Sequence, residues 1–352
     1  MRTEVIHRVT QSDTDEDVLG VPVLQPWRYE LPLHTSISSQ PPFQRAIVPD
    51  ELAAAELGAA CVALGLARPD EIGERFAHGS VWRERWRVRD ADAPVAAGMT
   101  LTVHVPPGGV YPDVRLGAAD IVWEDEVLLV VNKPPGMYVN ETPWDDQGHV
   151  LAALRRFVAE RDGVPPQLHL AHQLDRDTSG VLILTKDRRA NAPLQKMFMR
   201  QTIRKTYWAL CAGQPPHDAF IVESGHGRGK NGLFRLYPVT EVGTPLPITG
   251  APVRYMATEF AVRQRWHDVA LVEAHPRTGR THQIRLHLYG LGLPVLGDGR
   301  YEGPRMLGEV ALTHHLLHAQ RLQFRHPLTN VPLDFTAPPP PLFTLALNII
   351  NR

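Results

Sequence analysis

Cysteine is nearly missing from the 352 residues: Cys61 and Cys211 stand far apart and outside any paired motif. That excludes a disulfide framework and a cysteine-based zinc site, and dithiol redox chemistry with them. No run approaches the roughly eighteen consecutive apolar residues that a membrane-crossing helix needs. The start, MRTE, leads into polar sequence rather than an apolar signal core, so a cytoplasmic protein with no membrane partner is expected. There is no internal repeat, and no excess of one charge: 37 Lys+Arg against 38 Asp+Glu leave −1. What is present, 43% apolar and 21% charged residues, is an ordinary folded mixture at a length that favours two domains.

The near-neutral total hides an uneven spread. Residues 1–117 hold 11 Lys+Arg against 16 Asp+Glu, and the rest of the chain 26 against 22. An anionic partner therefore belongs with the second part. Residues 1–50, with Asp13, Asp15, Glu16 and Asp17 and several prolines, read as an irregular arm. Residues 51–117 read as a small α+β domain: a helix over 51–66, stopped by Arg68-Pro69, then two β-rich pieces around DADAPVAAG. In the first piece Arg83, Arg85, Arg87 and Arg89 alternate with Trp82, Trp86 and Val88. On a single strand all four arginines would share a face, which is either a solvated surface or a nucleic-acid contact.

After the linker PPGG at 106–109, residues 118–352 read as a mixed sheet with flanking helices. Strands are expected at 127–131, 181–185, 206–211 and 268–273, helices at 150–161 and 191–199, and a docking apolar segment at 342–350 behind a proline strut. Three clusters there carry chemistry. The first is HLAHQLDRDTSG (169–180), which sets Asp175 in a turn just before a buried strand, where rigid backbone can aim a carboxylate at a cleft. The second is RTGRTHQIRLH (277–287), with Thr281 as the expected cap of a helix ending near Gly290 or Gly292. Its arginines at a helix start suit phosphate or carboxylate. The third is RKTYW (204–208), a strand on which Lys205 and Tyr207 share a face.

Among 17 histidines, His314, His315 and His318 have ligand-like spacing, but no HExxH and no cysteine cluster accompanies them, so no metal is expected. GHGRGKNG (225–232) lacks the order of a phosphate-binding loop and reads as a flexible basic loop whose Arg228 touches a nucleic-acid backbone.

Together and in this order the clusters resemble the RluA-type family of RNA pseudouridine synthases. IVWEDEVLLVVNKPPGMYVN (121–140), HQLDRDTSGVLILTKD (172–187), KTYWALCAG (205–213), RTGRTHQIRLHLYGLGLPVLGDGRY (277–301) and LHAQRLQFRHPLT (317–329) carry the likeness. It implies an α+β fold with a mixed, mainly antiparallel sheet, and a catalytic domain over 118–352. It also implies conversion of uridine within RNA to pseudouridine without cofactor or metal. The family's catalytic Asp, Tyr and Arg fall on Asp175, Tyr207 and Arg285. Substrate contacts are expected from Arg176, Lys205, Arg277, Arg280, His282, Gln283 and Arg228. The partner is RNA, ribosomal rather than transfer RNA by preference, and the chain is expected to be monomeric.

The chemistry asks for an ionised carboxylate, acting as nucleophile or base, and a cation within about 4 to 6 Å favours that form. Arg285 is the candidate cation, with Arg280 next. One departure is Gln173, where the family usually has Arg; a catalytically silent RNA-binding factor on the same fold is the alternative that this substitution raises, and Arg176 is the candidate replacement. Residues 51–106 faintly resemble the small S-four-type RNA-binding domain.

Overall fold

The apolar runs that read as buried strands form the middle of one sheet. A computed structural model of the chain describes residues 14–16, 20–25, 43–229, 233–247 and 249–352. Leu128–Lys133, Ser179–Thr185 and Leu317–Arg325 lie side by side, and Arg204–Ala212, Val269–Pro276, Arg254–Arg265 and Ala219–Arg228 continue the sheet in that order. Short strands at both ends, and three more that pair off this path with Ala219–Arg228, Leu317–Arg325 and Ser179–Thr185, bring it to 13 among the described residues. Most pairings are antiparallel, as between Leu182 and Val131 or Leu210 and Leu271. Ser179–Thr185 beside Leu317–Arg325 is parallel, with Ser179 opposite His318 and Gly180 opposite Ala319. All seven residues of Ser179–Thr185 are buried, as a strand covered on both faces should be.

Gly180 is required there. Its φ is +110°, and a Cβ would stand 2.2 Å from the carbonyl oxygen of Ala319, a contact no side chain can take without moving the neighbouring strand.

The described residues fall into two compact units. The larger holds 14–16, 20–25, 120–136 and 169–352, and the smaller 43–119 with 137–168. The bounds differ from a division at 118. Residues 137–168, with the helix Val150–Asp162, pack with 43–119 because polar groups of both segments need each other. His78 Nδ1 meets Asp145 at 3.0 Å, and Arg156 donates to the carbonyls of Gln147 and Val114. The expected arm over 1–50 lies largely outside the described residues; within it, Pro22–Leu24 joins the large sheet and Phe43–Ile47 the small one.

The small unit is a four-stranded sheet over the helices Leu57–Ala63 and Ile72–Ala77, closed by Leu57, Cys61, Phe76, Val81, Leu101 and Val103. The first helix is shorter than its alanine-rich sequence promises, because Ala54 turns left-handed at φ +68° ahead of it. The arginine alternation is also broken. Glu84 adopts φ +56° and splits the run into the hairpin Val81–Arg83 and Trp86–Arg87. Arg87 then donates to the carbonyls of Gly79 and Thr142, and Arg89 pairs with Asp146. Two of the four arginines therefore hold the unit together rather than line a free face.

Candidate active site

The turn that carries Asp175 is fixed by groups remote in sequence. The amide of Thr178 donates to the Asp175 carbonyl at 3.1 Å, closing the turn before the strand begins. Thr178 Oγ1 meets His315 Nε2 at 2.9 Å, and Ser179 Oγ meets His318 Nδ1 at 2.9 Å. His318 Nε2 reaches the Ala337 carbonyl at 2.9 Å, which makes that nitrogen the donor and leaves Nδ1 to accept from Ser179. From below, the buried Lys133 donates to the carbonyls of Pro134 and Arg176, both at 2.8 Å. Burial pushes its pKa down to about 7, against the pull of Asp177 and Asp175. Of the three histidines with ligand-like spacing, His315 and His318 are thus turn supports. Among the described residues no group of three or more His, Cys, Asp or Glu could hold a metal ion.

Asp175 sits in a cavity of about 680 Å³, which Gln173, Lys205, Tyr207, Arg280, His282 and Gln283 also line. One of its oxygens accepts from Arg285 Nη1 at 2.9 Å. The rest of that guanidinium is held by Asp298, which accepts from Nε at 2.6 Å and Nη2 at 2.9 Å. Asp298 Oδ1 also accepts from the amides of Arg300 and Tyr301, and the Tyr301 ring lies 5.0 Å from the guanidinium carbon. The side chains of Asp298 and Arg285 are 1% and 6% exposed, that of Asp175 21%. The arrangement is a buried clamp with one carboxylate left facing the cavity. Burial alone would lower the Arg285 pKa, but its hydrogen bonds and the charges of both aspartates raise it, so the guanidinium remains a fixed positive charge.

Lys205 and Tyr207 reach the same cavity from Arg204–Ala212, two residues apart on one face as the strand alternation requires. Lys205 Nζ donates to the Thr278 carbonyl at 3.0 Å, and burial lowers its pKa to about 8. Burial, and then the Asp175 charge, pushes the Tyr207 phenol up, so it keeps its proton.

The expected helix starts later than Thr281. It is Gln283–Gly290, entered through His282 at φ +59°, whose Nδ1 meets the Tyr301 hydroxyl at 2.7 Å. Gln283 does not face outward as a substrate contact alone. Its carbonyl oxygen accepts from Thr278 Oγ1 and the Arg280 amide, and its amide donates to Ala257 O and Thr258 Oγ1. Thr258 in turn meets His287 Nδ1 at 2.9 Å, and His287 Nε2 meets Ser224 at 3.1 Å.

Burial holds fully enclosed His287 at a pKa of about 3. Below pH 6.5 the unfolded chain takes up a proton that the folded chain refuses, so stability falls as pH drops from about 6.5 towards 3. The unfolding midpoint should therefore decline between pH 7 and pH 5. In His287→Gln the slope of unfolding free energy against pH should be shallower by up to about 1.4 kcal/mol per pH unit; equal slopes in a denaturant titration series would exclude His287 as a source.

Of the other expected contacts, Arg176, Arg277 and Arg228 do not line the cavity. Arg176 pairs with Asp177 at 2.8 Å, so it does not stand in for the arginine missing at Gln173. Arg277 pairs with Glu259 at 2.6 Å. Arg280 lines the cavity but donates to the Tyr255 carbonyl and is not the partner of Asp175. Arg228 is on a strand, not in a loop: it pairs in register with Phe234 and stacks over that ring at 5.3 Å. The glycines that suggested flexibility are close-approach positions, since a Cβ on Gly225 or Gly227 would meet Val253 or Leu246 within 2.7 Å; residues 230–232 of that segment lie outside the described ones.

Comparison with known proteins decides the family. Residues 127–289 match the model of RNA pseudouridylate synthase. RNA pseudouridine synthase 1 of Oryza sativa subsp. japonica is 37% identical over 261 residues, 63% of this chain and 73% of the relative. The chain belongs to the RluA-type family of RNA pseudouridine synthases. This synthase is an isomerase acting on RNA. It is also 35% identical over 223 residues, 62% of this chain and 65% of the relative, to ribosomal large subunit pseudouridine synthase C of Vibrio vulnificus. The solved structure of human RNA pseudouridylate synthase domain containing 4 superposes with a TM-score of 0.52 at 27% identity, covering 66% of this chain and 93% of that one. The α+β fold with its mainly antiparallel sheet is the one the motifs implied. Among the described residues no helix is long and apolar enough to cross a membrane.

Proposed function

We propose that Asp175 starts the isomerisation and that the RNA is ribosomal. The observation that carries this reading is the clamp: a carboxylate salt-bridged at 2.9 Å to a buried guanidinium, its other face open to a cavity. The N1–C1′ bond of uridine breaks, the uracil turns, and a C5–C1′ bond forms; the proton lost from C5 is balanced by the one gained at N1. The Asp175 carboxylate begins this by attack at the sugar or by removing a ribose proton. Tyr207 holds the freed base against its ring, close enough to Asp175 to feel its charge. Lys205, Arg280 and His282 line the same cavity and bind the nucleotide, with Gln283 fixing the segment that presents them. Arg176, Arg277 and Arg228 contact RNA outside the cavity, and the small unit that contains 51–117 acts as an RNA-holding domain. That holding role rests on the sheet face where Arg45 stacks over Phe43 and Trp82 lies edge-on to His104.

The preference for ribosomal RNA follows the named target of the Vibrio vulnificus relative. Pseudouridine mapping of total RNA from cells with and without the gene tests it. Loss of signal at one or a few uridines of large-subunit ribosomal RNA is expected. Loss confined to transfer RNA would overturn the ribosomal assignment, and unchanged maps together with an inert purified protein would overturn the reaction.

A further inference from the structure

Met199 is 75% exposed, the highest value among the large apolar side chains described, and it stands on the rim of the cavity that holds Asp175. Its backbone is not loose. Met199 ends the helix Arg188–Met199, and the chain turns back through Gln201 at φ +59°, with the amides of Gln201 and Thr202 donating to the carbonyls of Phe198 and Met197. The preceding Phe198 stacks on His172 at 4.8 Å, and His172 Nε2 accepts from the Ile183 amide in the central sheet. An anchored corner therefore holds one flexible thioether out into solvent beside the cavity mouth. Lys196 lies one helical turn before it, Arg200 follows it, and Arg204 opens the next strand, all exposed and with no ion-pair partner among the described residues. Cations close in sequence to an apolar tip suit a strand of phosphates carrying stacked bases.

We propose that Met199 is the wedge that takes the place of the target uridine in the RNA stack. This rests on the reading of the cavity as the uridine site. Base pairing and stacking keep a uridine out of a cavity like this one, and a few apolar residue types, Met among them, are the ones that nucleic-acid-bending proteins push between bases. Held against the gap by Lys196, Arg200 and Arg204, the thioether fills the space the base leaves, so the everted state no longer costs an unstacked hole. It is a positioning residue, since it touches the RNA beside the reacting nucleotide rather than the reacting atoms. Gln173, where the family usually has Arg, lies in the same cavity and cannot supply a cation there.

The test uses the full chain and two short RNA duplexes built on a site converted in large-subunit ribosomal RNA transcript, identical except that the target uridine is paired in one and unopposed in the other. In Met199→Ala the ratio of kcat/KM on paired over unopposed RNA should fall about tenfold, and Met199→Leu should restore most of it. A 2-aminopurine beside the uridine should brighten with Asp175→Asn and stay dark when Met199→Ala is added. An unchanged ratio, or an equal loss on both duplexes, would overturn the wedge while leaving the uridine site intact. Activity surviving in Asp175→Asn would overturn the site itself, a different outcome in the same assay.

Discussion

Asp175→Asn should yield a protein that binds RNA and forms no pseudouridine. The amide keeps the size and one acceptor for Arg285 Nη1, which now donates at 2.9 Å to the carboxylate, so the clamp with Asp298 and the cavity persist. What is lost is the negative charge that, in the proposed reaction, attacks the sugar or takes its proton. Removing such a group costs on the order of 10²–10⁴-fold in rate, and RNA affinity, set by the surrounding cations, should stay within about threefold. Single-turnover measurement on a mapped RNA separates the two. A rate within a factor of about ten of the parent's would sink the assignment.

Asp298→Ala should damage stability and catalysis together. The variant removes both acceptors of Arg285 Nε and Nη2 and the acceptor of two backbone amides. A guanidinium 6% exposed is then left with Asp175 as its one ion-pair partner among the described residues. Breaking a buried pair from one side costs about 3–5 kcal/mol, visible as a lower denaturant midpoint. Asp298→Asn keeps one acceptor and should destabilise less, yet kcat should fall more than KM rises, because the guanidinium is no longer aimed at Asp175 by two parallel bonds. Equal kcat in parent and Asp298→Asn would mean that the aim does not matter.

Much of the larger unit was legible because its strands are unambiguous. Runs such as LLVV and VLILT are short, rich in β-branched residues and bounded by turns, and they lie in the sheet where expected, with ends shifted by one or two residues. That Asp175, Tyr207 and Arg285 would lie together was legible because each sits in a motif whose neighbours are unusual together. The supports were not. Lys133, His315, His318 and Asp298 act on the site across more than ten residues of sequence, and nothing local distinguishes a histidine that pins a turn from one that binds a metal. Thr281 looked like a helix cap because threonine usually is one; His282 took the left-handed position instead, where its ring could meet Tyr301. The arginine alternation around Trp82 and Trp86 failed for a similar reason, since alternation presumes one strand and a single positive φ at Glu84 makes two. Long-range partners also set the unit boundary: 137–168 follows the linker in sequence but is tied through Asp145, Asp146 and Arg156 to His78, Arg89 and Val114.

The turn at Asp175 leans on His315 and His318, so its anchors are made nearly 140 residues after it. A ribosome delivers the chain from its N-terminus, and segments wait for partners not yet translated. During synthesis the nascent polypeptide can assemble the small unit early, but the turn that carries Asp175 stays without these anchors until the strand Leu317–Arg325 has left the exit tunnel. The cavity that Asp175 lines is thus completed only when nearly the whole polypeptide has been made.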